Sequence, residues 1–227
     1  MKKIGKEKTM NKKQCASLID HTCLRANAQK KDIEQLCHEA IRYGFRAVCV
    51  NQTWVSLCAK LLKKHPRILI ACVVDFPLGA GDVAQKKALA IIAKNAGATE
   101  LDVVMNIGKF LDGDYKEVED ELKVVASVLP TKVIIETGHL SDKEILKAAE
   151  IVERAKADFI KTSTGWKPEV EIKEKARQVA LIREHFPGLK IKAAGGIKTP
   201  EDLRLMLNSG ANVIGASAGV AMVKSIV

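Results

Sequence analysis

The stretch RILIACVV at residues 67–74 is apolar from Ile68 onward without alternation, and AVCV at 47–50 repeats the pattern in miniature. A strand with one wet face alternates apolar and polar residues. An unbroken run of branched and small apolar side chains fits a parallel strand buried on both faces. Each run gives way to a polar or glycine-containing segment and then to a longer amphipathic stretch. Outward from this point the same unit recurs along the chain. The short runs are 17–20, 45–50, 67–74, 99–104, 132–136, 158–161, 189–193 and 212–214. The amphipathic stretches cover roughly 28–42, 53–64, 83–95, 114–128, 142–154, 171–185, 200–209 and 217–225. Eight strand–helix pairs with no linker or composition shift predict one α/β domain, a (β/α)8 TIM barrel spanning 14–227. An open doubly wound sheet is the competing arrangement.

Local signals support the helices. Within 142–154, Ile145, Leu146, Ala149, Ile151 and Val152 mark an apolar side, with Lys and Glu around the remainder. Ser141 followed by Glu144 reads as a capping box, and Thr199 before Pro200 as a cap followed by the first helical turn. Gly44 and Gly210 read as helix stops.

The 227 residues carry 37 basic and 27 acidic side chains, a net charge of +10. Residues 1–13 hold six lysines against Glu7 and supply +5 of that total, as a basic, flexible tail. With the remaining charge spread over the body and no aromatic stripe among the lysines, a nucleic-acid platform is not expected. The six cysteines, at 15, 23, 37, 49, 58 and 72, match no zinc or redox spacing, and a reducing, cytoplasmic setting is the simplest account. There is no apolar leader after the basic N-terminus and no run of 18 apolar residues, so neither secretion nor a membrane partner is expected.

Charged residues fall where apolar strands should end: Asp20, Asp75, Asp102, Glu136, Lys161 and Lys192. In a barrel these ends converge on one mouth, the usual seat of chemistry. The two lysines could serve only as counterions of Asp102 and Glu136. Alternatively, one is a nucleophile. A free lysine has a pKa near 10.4, and bringing it into the neutral range takes roughly 4 kcal/mol of differential interaction. Burial beside a second cation can supply that. The pattern alone does not say which lysine attacks. Asp102 is the natural proton-transfer partner, and Asp20 could hold substrate hydroxyls with His21 and Thr22 nearby.

Glycine-bearing segments follow the last three strands, at 163–165, 195–196 and 215–219. Glycine lets backbone N–H groups approach an anion closely, so three such segments together predict a phosphate site, with Lys198 adding charge. Two motifs mislead. GASAG at 215–219 matches GxSxG, but no His, Asp or Glu follows it, which rules out a serine hydrolase. No complete dinucleotide fingerprint or P-loop is present. The five histidines are dispersed, and an iminium electron sink needs no metal or other cofactor.

Taken together, LIDHT (18–22), VCVN (48–51), ELDVVMNIG (100–108), KVIIETG (132–138), FIKTSTGW (159–166), IKAAGGIK (191–198) and IGASAG (214–219) closely resemble the deoxyribose-phosphate aldolases. The likeness runs in order from about residue 15 to 224. It implies a metal-free class I aldolase on a TIM barrel, acting on a phosphorylated sugar and forming a homodimer or higher homo-oligomer. It further implies that Lys161 forms the Schiff base, Lys192 is the second lysine that depresses it, and Asp102 relays protons. Asp20, Thr162 and Thr164 would contact substrate, and Gly165, Gly195, Gly196, Gly215 and Ser217 would bind phosphate. The chain departs from the family pattern in lacking a C-terminal tyrosine. It also has Ala218 for a second serine, Trp166 where lysine or phenylalanine is common, and no proline after Arg25. A Schiff-base aldolase for another phosphorylated sugar, or a silent phosphosugar-binding barrel, remains the alternative.

Overall fold

The computed structural model describes residues 10–166 and 170–226, so most of the basic tail lies outside the described residues. Eight parallel strands close in sequence order: β1 (Ile19–Cys23), β2 (Ala47–Val50), β3 (Leu69–Val74), β4 (Glu100–Val104), β5 (Thr131–Ile134), β6 (Phe159–Lys161), β7 (Lys190–Ala194) and β8 (Val213–Ala216). β8 returns to β1, pairing Gly215 with Asp20, so no sheet edge is left open. The doubly wound alternative is excluded by that closure.

Around the barrel lie α1 (Lys12–Ala16), α2 (Lys30–Tyr43), α3 (Val55–Leu62), α4 (Val83–Asn95), α5 (Ile107–Leu111), α6 (Tyr115–Ala126), α7 (Asp142–Arg154), α8 (Ile172–His185), α9 (Pro200–Asn208) and α10 (Gly219–Ser225). Both capping boxes form, Ser141 with Glu144 and Thr199 with Asp202. Gly44 ends α2 in the left-handed conformation. Two short helices were not anticipated. α1 starts inside the stretch read as tail, where Asn11 and Gln14 make a reciprocal cap. α5 is nucleated by Asn106, whose side chain accepts from the Lys109 N–H.

The first strand is displaced from its expected position. It begins at Ile19, not Ser17, because Ser17 and Leu18 still finish the turn after α1 with N–H donation to Lys13 and Cys15 carbonyls. Asp20 consequently sits in the body of β1. The fifth strand ends at Ile134, and Glu136 takes a left-handed turn with φ 50°.

Register decides which side chains face the axis. Ladder partners in parallel strands stand side by side on one face. One row runs Val73, Asp102, Lys132, Phe159. The next runs Ile134, Lys161, Lys192, Val213. The residues between them, such as Leu101, Val103, Ile160, Ile191 and Ala193, point outward and are buried under the helices. Inside the barrel, the charged cluster takes one side, while Cys49, Ala71 and Val73 form a small apolar cluster on another.

Candidate active site

Five charged side chains within the barrel, Asp20, Asp102, Lys132, Lys161 and Lys192, are no more than 4% exposed. Asp102 is their hub. Its Oδ2 accepts from Lys161 Nζ at 2.8 Å and Lys192 Nζ at 2.7 Å, and its Oδ1 from Lys132 Nζ at 3.1 Å. Lys192 also donates to Asp20 Oδ2 at 2.6 Å. Arg46, just before β2, donates to Asp20 Oδ1 at 2.7 Å and to Glu100 Oε2 at 2.9 Å. Lys132 completes the circuit with Glu100 at 2.5 Å.

The result is a closed ring of alternating sign: Asp102, Lys192, Asp20, Arg46, Glu100, Lys132 and back to Asp102. Three cations match three anions, so the buried ring is neutral without Lys161. Isolated burial would push a charged group toward its uncharged form; at Asp102, Asp20, Lys192 and Lys132 the partners win. Although burial opposes it, the lysines hold Asp102 well below the ordinary carboxylate range. Lys192, Lys132 and Arg46 hold Asp20 low in the same way. Asp102 and Asp20 hold Lys192 above the usual lysine value against its own desolvation, and Lys132 is likewise raised. Lys192 is therefore a fixed cation.

Lys161 is the one member of this constellation that reaches a cavity of about 580 Å³ at the barrel mouth. Its other lining includes Thr164, Gly165, Gly195, Gly196, Lys198, Gly215 and Ser217, and, on the β1–α2 side, His21, Arg25 and Glu39. The loops after β6 and β7 meet there: a Cβ on Gly195 would stand 3.2 Å from the Gly165 Cα. Gly195 and Gly196 have φ of 85° and 74°, which L side chains rarely adopt. Gly215 has a second cause, since a Cβ there would lie 2.9 Å from Lys192 Cε. Trp166 sits at the rim against the Phe76 ring edge, with centroids 6.4 Å apart.

Of the residues singled out from the sequence, Lys161, Thr164, Gly165, Gly195, Gly196, Gly215 and Ser217 line the cavity, whereas Asp102, Lys192, Asp20 and Thr162 lie beneath its lining. Asp20 has both oxygens occupied by Lys192 and Arg46, which makes it a support for the cation. Thr162 bridges strands, its Oγ1 donating to the Ala194 carbonyl at 3.2 Å and accepting from the Ala194 N–H at 3.1 Å. Glu136 is a counterion of neither site lysine. It accepts from the Thr164 N–H at 3.0 Å and hydroxyl at 2.5 Å and so fixes the loop after β6. His21 turns outward to Glu39, with Nε2 2.7 Å from Oε2. Sequence reasoning missed Lys132, Glu100 and Arg46. The available signal was parity: Glu100 and Asp102 are two apart in one strand and must share a face.

Among the described residues no cluster of three His, Cys, Asp or Glu side chains forms a metal site, and no helix is long and apolar enough to cross a membrane.

A closed eight-stranded parallel barrel with a buried lysine opening into a cavity at its mouth defines a TIM barrel with a candidate active site at the C-terminal ends of its strands. The chain belongs to the DeoC/LacD family of aldolases, whose model matches residues 15–226. It is 44% identical over 218 residues to the deoxyribose-phosphate aldolase of Thermoanaerobacter sp. strain X514, covering 92% of this chain and 95% of that one. It is 43% identical over 218 residues to the Clostridium perfringens (strain SM101) enzyme, covering 94% and 96%. Among solved structures, the tetrameric deoxyribose phosphate aldolase of Aeropyrum pernix superposes with a TM-score of 0.85 at 32% identity, covering 95% of this chain and 92% of that one. An aldolase called QR15 gives 0.86 at 36%, covering 92% and 94%.

Proposed function

We propose that this protein cleaves 2-deoxy-D-ribose 5-phosphate reversibly to D-glyceraldehyde 3-phosphate and acetaldehyde, with Lys161 as the Schiff-base residue. One observation carries the assignment: Lys161 faces the cavity, while Lys192 is fully buried and held on its proton by two carboxylates. An amine must shed its proton to attack a carbonyl. The ring of three cations and three anions is balanced without Lys161, so a neutral amine at that position leaves no buried carboxylate uncompensated.

The open-chain sugar condenses through C1 with the Lys161 Nζ and releases water. The resulting iminium draws the electron pair of the C2–C3 bond as the C3 hydroxyl loses its proton. Glyceraldehyde 3-phosphate departs. The enamine left on Lys161 takes a proton at C2, and water then frees acetaldehyde and the amine. Asp102, bonded to both Lys161 and Lys192, is the group through which protons reach and leave the nitrogen. Gly165, Gly195, Gly196, Gly215 and Ser217 hold the phosphate, and Thr164 contacts the sugar chain; that binding energy orients the reacting end. Residues 14–227 act as one catalytic unit.

The test is borohydride reduction in the presence of acetaldehyde or the sugar phosphate, with the adduct mapped by mass spectrometry. A stable adduct on Lys161, absent from Lys161→Arg, is expected. An adduct on another lysine, or none in the folded protein, overturns the assignment. Self-association is part of the same reading: α4 leaves Val83, Ile91 and Ile92 exposed. Light scattering should find more than one chain per particle. The six free thiols suit a reducing compartment such as the cytoplasm.

A further inference from the structure

Lys175 belongs to none of these arrangements. It lies on α8 with only 2% of its surface exposed, and its Nζ donates to Ser163 Oγ at 2.8 Å. Its described hydrogen-bond partner is thus a neutral hydroxyl two residues beyond Lys161. The same ammonium rises behind the loop after β7, where a Cβ on Gly195 would stand 3.2 Å from it. Gly195 and Gly165 both line the cavity. What separates this buried cation from the cavity is therefore bare glycine backbone.

Among the described residues no carboxylate is in contact with this ammonium. A buried ammonium so placed is costly, and an anion on the far side of a thin, dry wall offsets that cost because little solvent screens the attraction. We propose that Lys175 is the buried counter-charge for the substrate's phosphate, acting through the Gly165–Gly195 wall and touching no reacting atom. The proposal rests on the aldolase reading above and adds a specificity-determining residue to it.

Burial lowers the Lys175 ammonium to about 8, with Glu136 pulling the other way. Three described charges on the elements packed around α8 are engaged with other partners. Asp142 of α7 pairs with Arg177, Asp202 of α9 caps its own helix, and Lys192 of β7 sits in the ring. Lys198 on the cavity lining is exposed. A phosphate monoester is already a dianion above about pH 7. Its arrival favours the charged form of Lys175, so binding takes up a proton when the pH lies above 8.

The experiment compares 2-deoxyribose 5-phosphate with unphosphorylated 2-deoxyribose in the wild type, Lys175→Met and Lys175→Arg. Lys175→Met should raise KM for the phosphorylated sugar about tenfold and lower its kcat/KM preference over 2-deoxyribose by a similar factor, with Lys175→Arg restoring most of it. In the wild type, KM for the phosphorylated sugar should climb above pH 8 while that for 2-deoxyribose does not follow. An unchanged preference in Lys175→Met, or parallel losses on both sugars, overturns the proposal and makes the lysine a brace for Ser163. Should Lys175→Met fail to fold, the wild-type pH comparison decides alone, and parallel profiles overturn it. A wild type that forms no acetaldehyde adduct removes the aldolase reading itself, an outcome distinct from a trapped adduct with an indifferent Lys175.

Discussion

Lys161 and Lys192 are direct partners in the β6–β7 ladder, so their amines leave neighbouring strands on the same face of the barrel. Both end on the same oxygen of Asp102. They differ in what surrounds them: Lys192 has Asp20 as a second carboxylate and no access to the cavity, whereas Lys161 has the cavity in its place.

That asymmetry separates their substitutions. Lys161→Met leaves Asp102 with Lys192 and Lys132, so stability should change by no more than about 1 kcal/mol while turnover drops about a thousandfold or more. Lys192→Met strips a cation from two buried carboxylates and should cost about 3–5 kcal/mol as well as activity. Urea unfolding beside kcat measures both. Equal destabilisation by the two variants would contradict the ring.

Lys132 offers a test of the ring away from the cavity. It bonds Glu100 and Asp102, is 1% exposed and does not line the cavity. Lys132→Met should destabilise by about 3 kcal/mol or more, with a smaller effect on adduct formation at Lys161 than Lys192→Met has. Denaturation midpoints and borohydride trapping yields report the two effects.

Acid should dissolve the ring in a defined direction. Asp102 and Asp20 are held below their ordinary range, so the native state binds fewer protons than the unfolded chain as the pH falls through about 4. Their contribution is present above that pH and is lost progressively below it, toward their low native values. Lys192 and Lys132 are held high, so theirs persists below about pH 10.4 and is lost only as the pH rises further. Urea unfolding at pH 3, 4, 5 and 7 should show stability falling below pH 4. Asp102→Asn should be less stable at pH 7 and show a shallower acid slope. An unchanged slope would mean that Asp102 titrates normally.

Gly215→Ala tests the glycine beside Lys192. The new methyl would lie 2.9 Å from Lys192 Cε and 3.2 Å from Ala194 Cβ, and Lys192 cannot swing aside without leaving two carboxylates. A loss of about 1–3 kcal/mol is expected, together with a fall in kcat that Gly44→Ala, away from the cavity, does not reproduce. No Gly44 neighbour lies within contact distance of an added Cβ, and its φ is 71°, so its cost is the backbone conformation alone.

The sequence by itself determined the alternation of buried strands and amphipathic helices, because double-sided burial and helical amphipathicity are periodic properties of the chain. Ser141 and Thr199 could be recognised as caps because a cap acts within a single helical turn. Lys161, Lys192 and Asp102 were conspicuous for a similar reason: charge inside an apolar strand is costly. Only the tertiary structure decided which lysine faces the cavity, since Lys161 and Lys192 occupy equivalent places in their strands. Closure of the barrel brings Asp20, 172 positions away, onto Lys192, and it joins Arg46, Glu100 and Lys132 into the ring. Lys175 looked like any solvated helix lysine until packing placed it behind Gly195. Such pairings depend on strand register and helix rotation around the whole barrel, which local sequence does not encode.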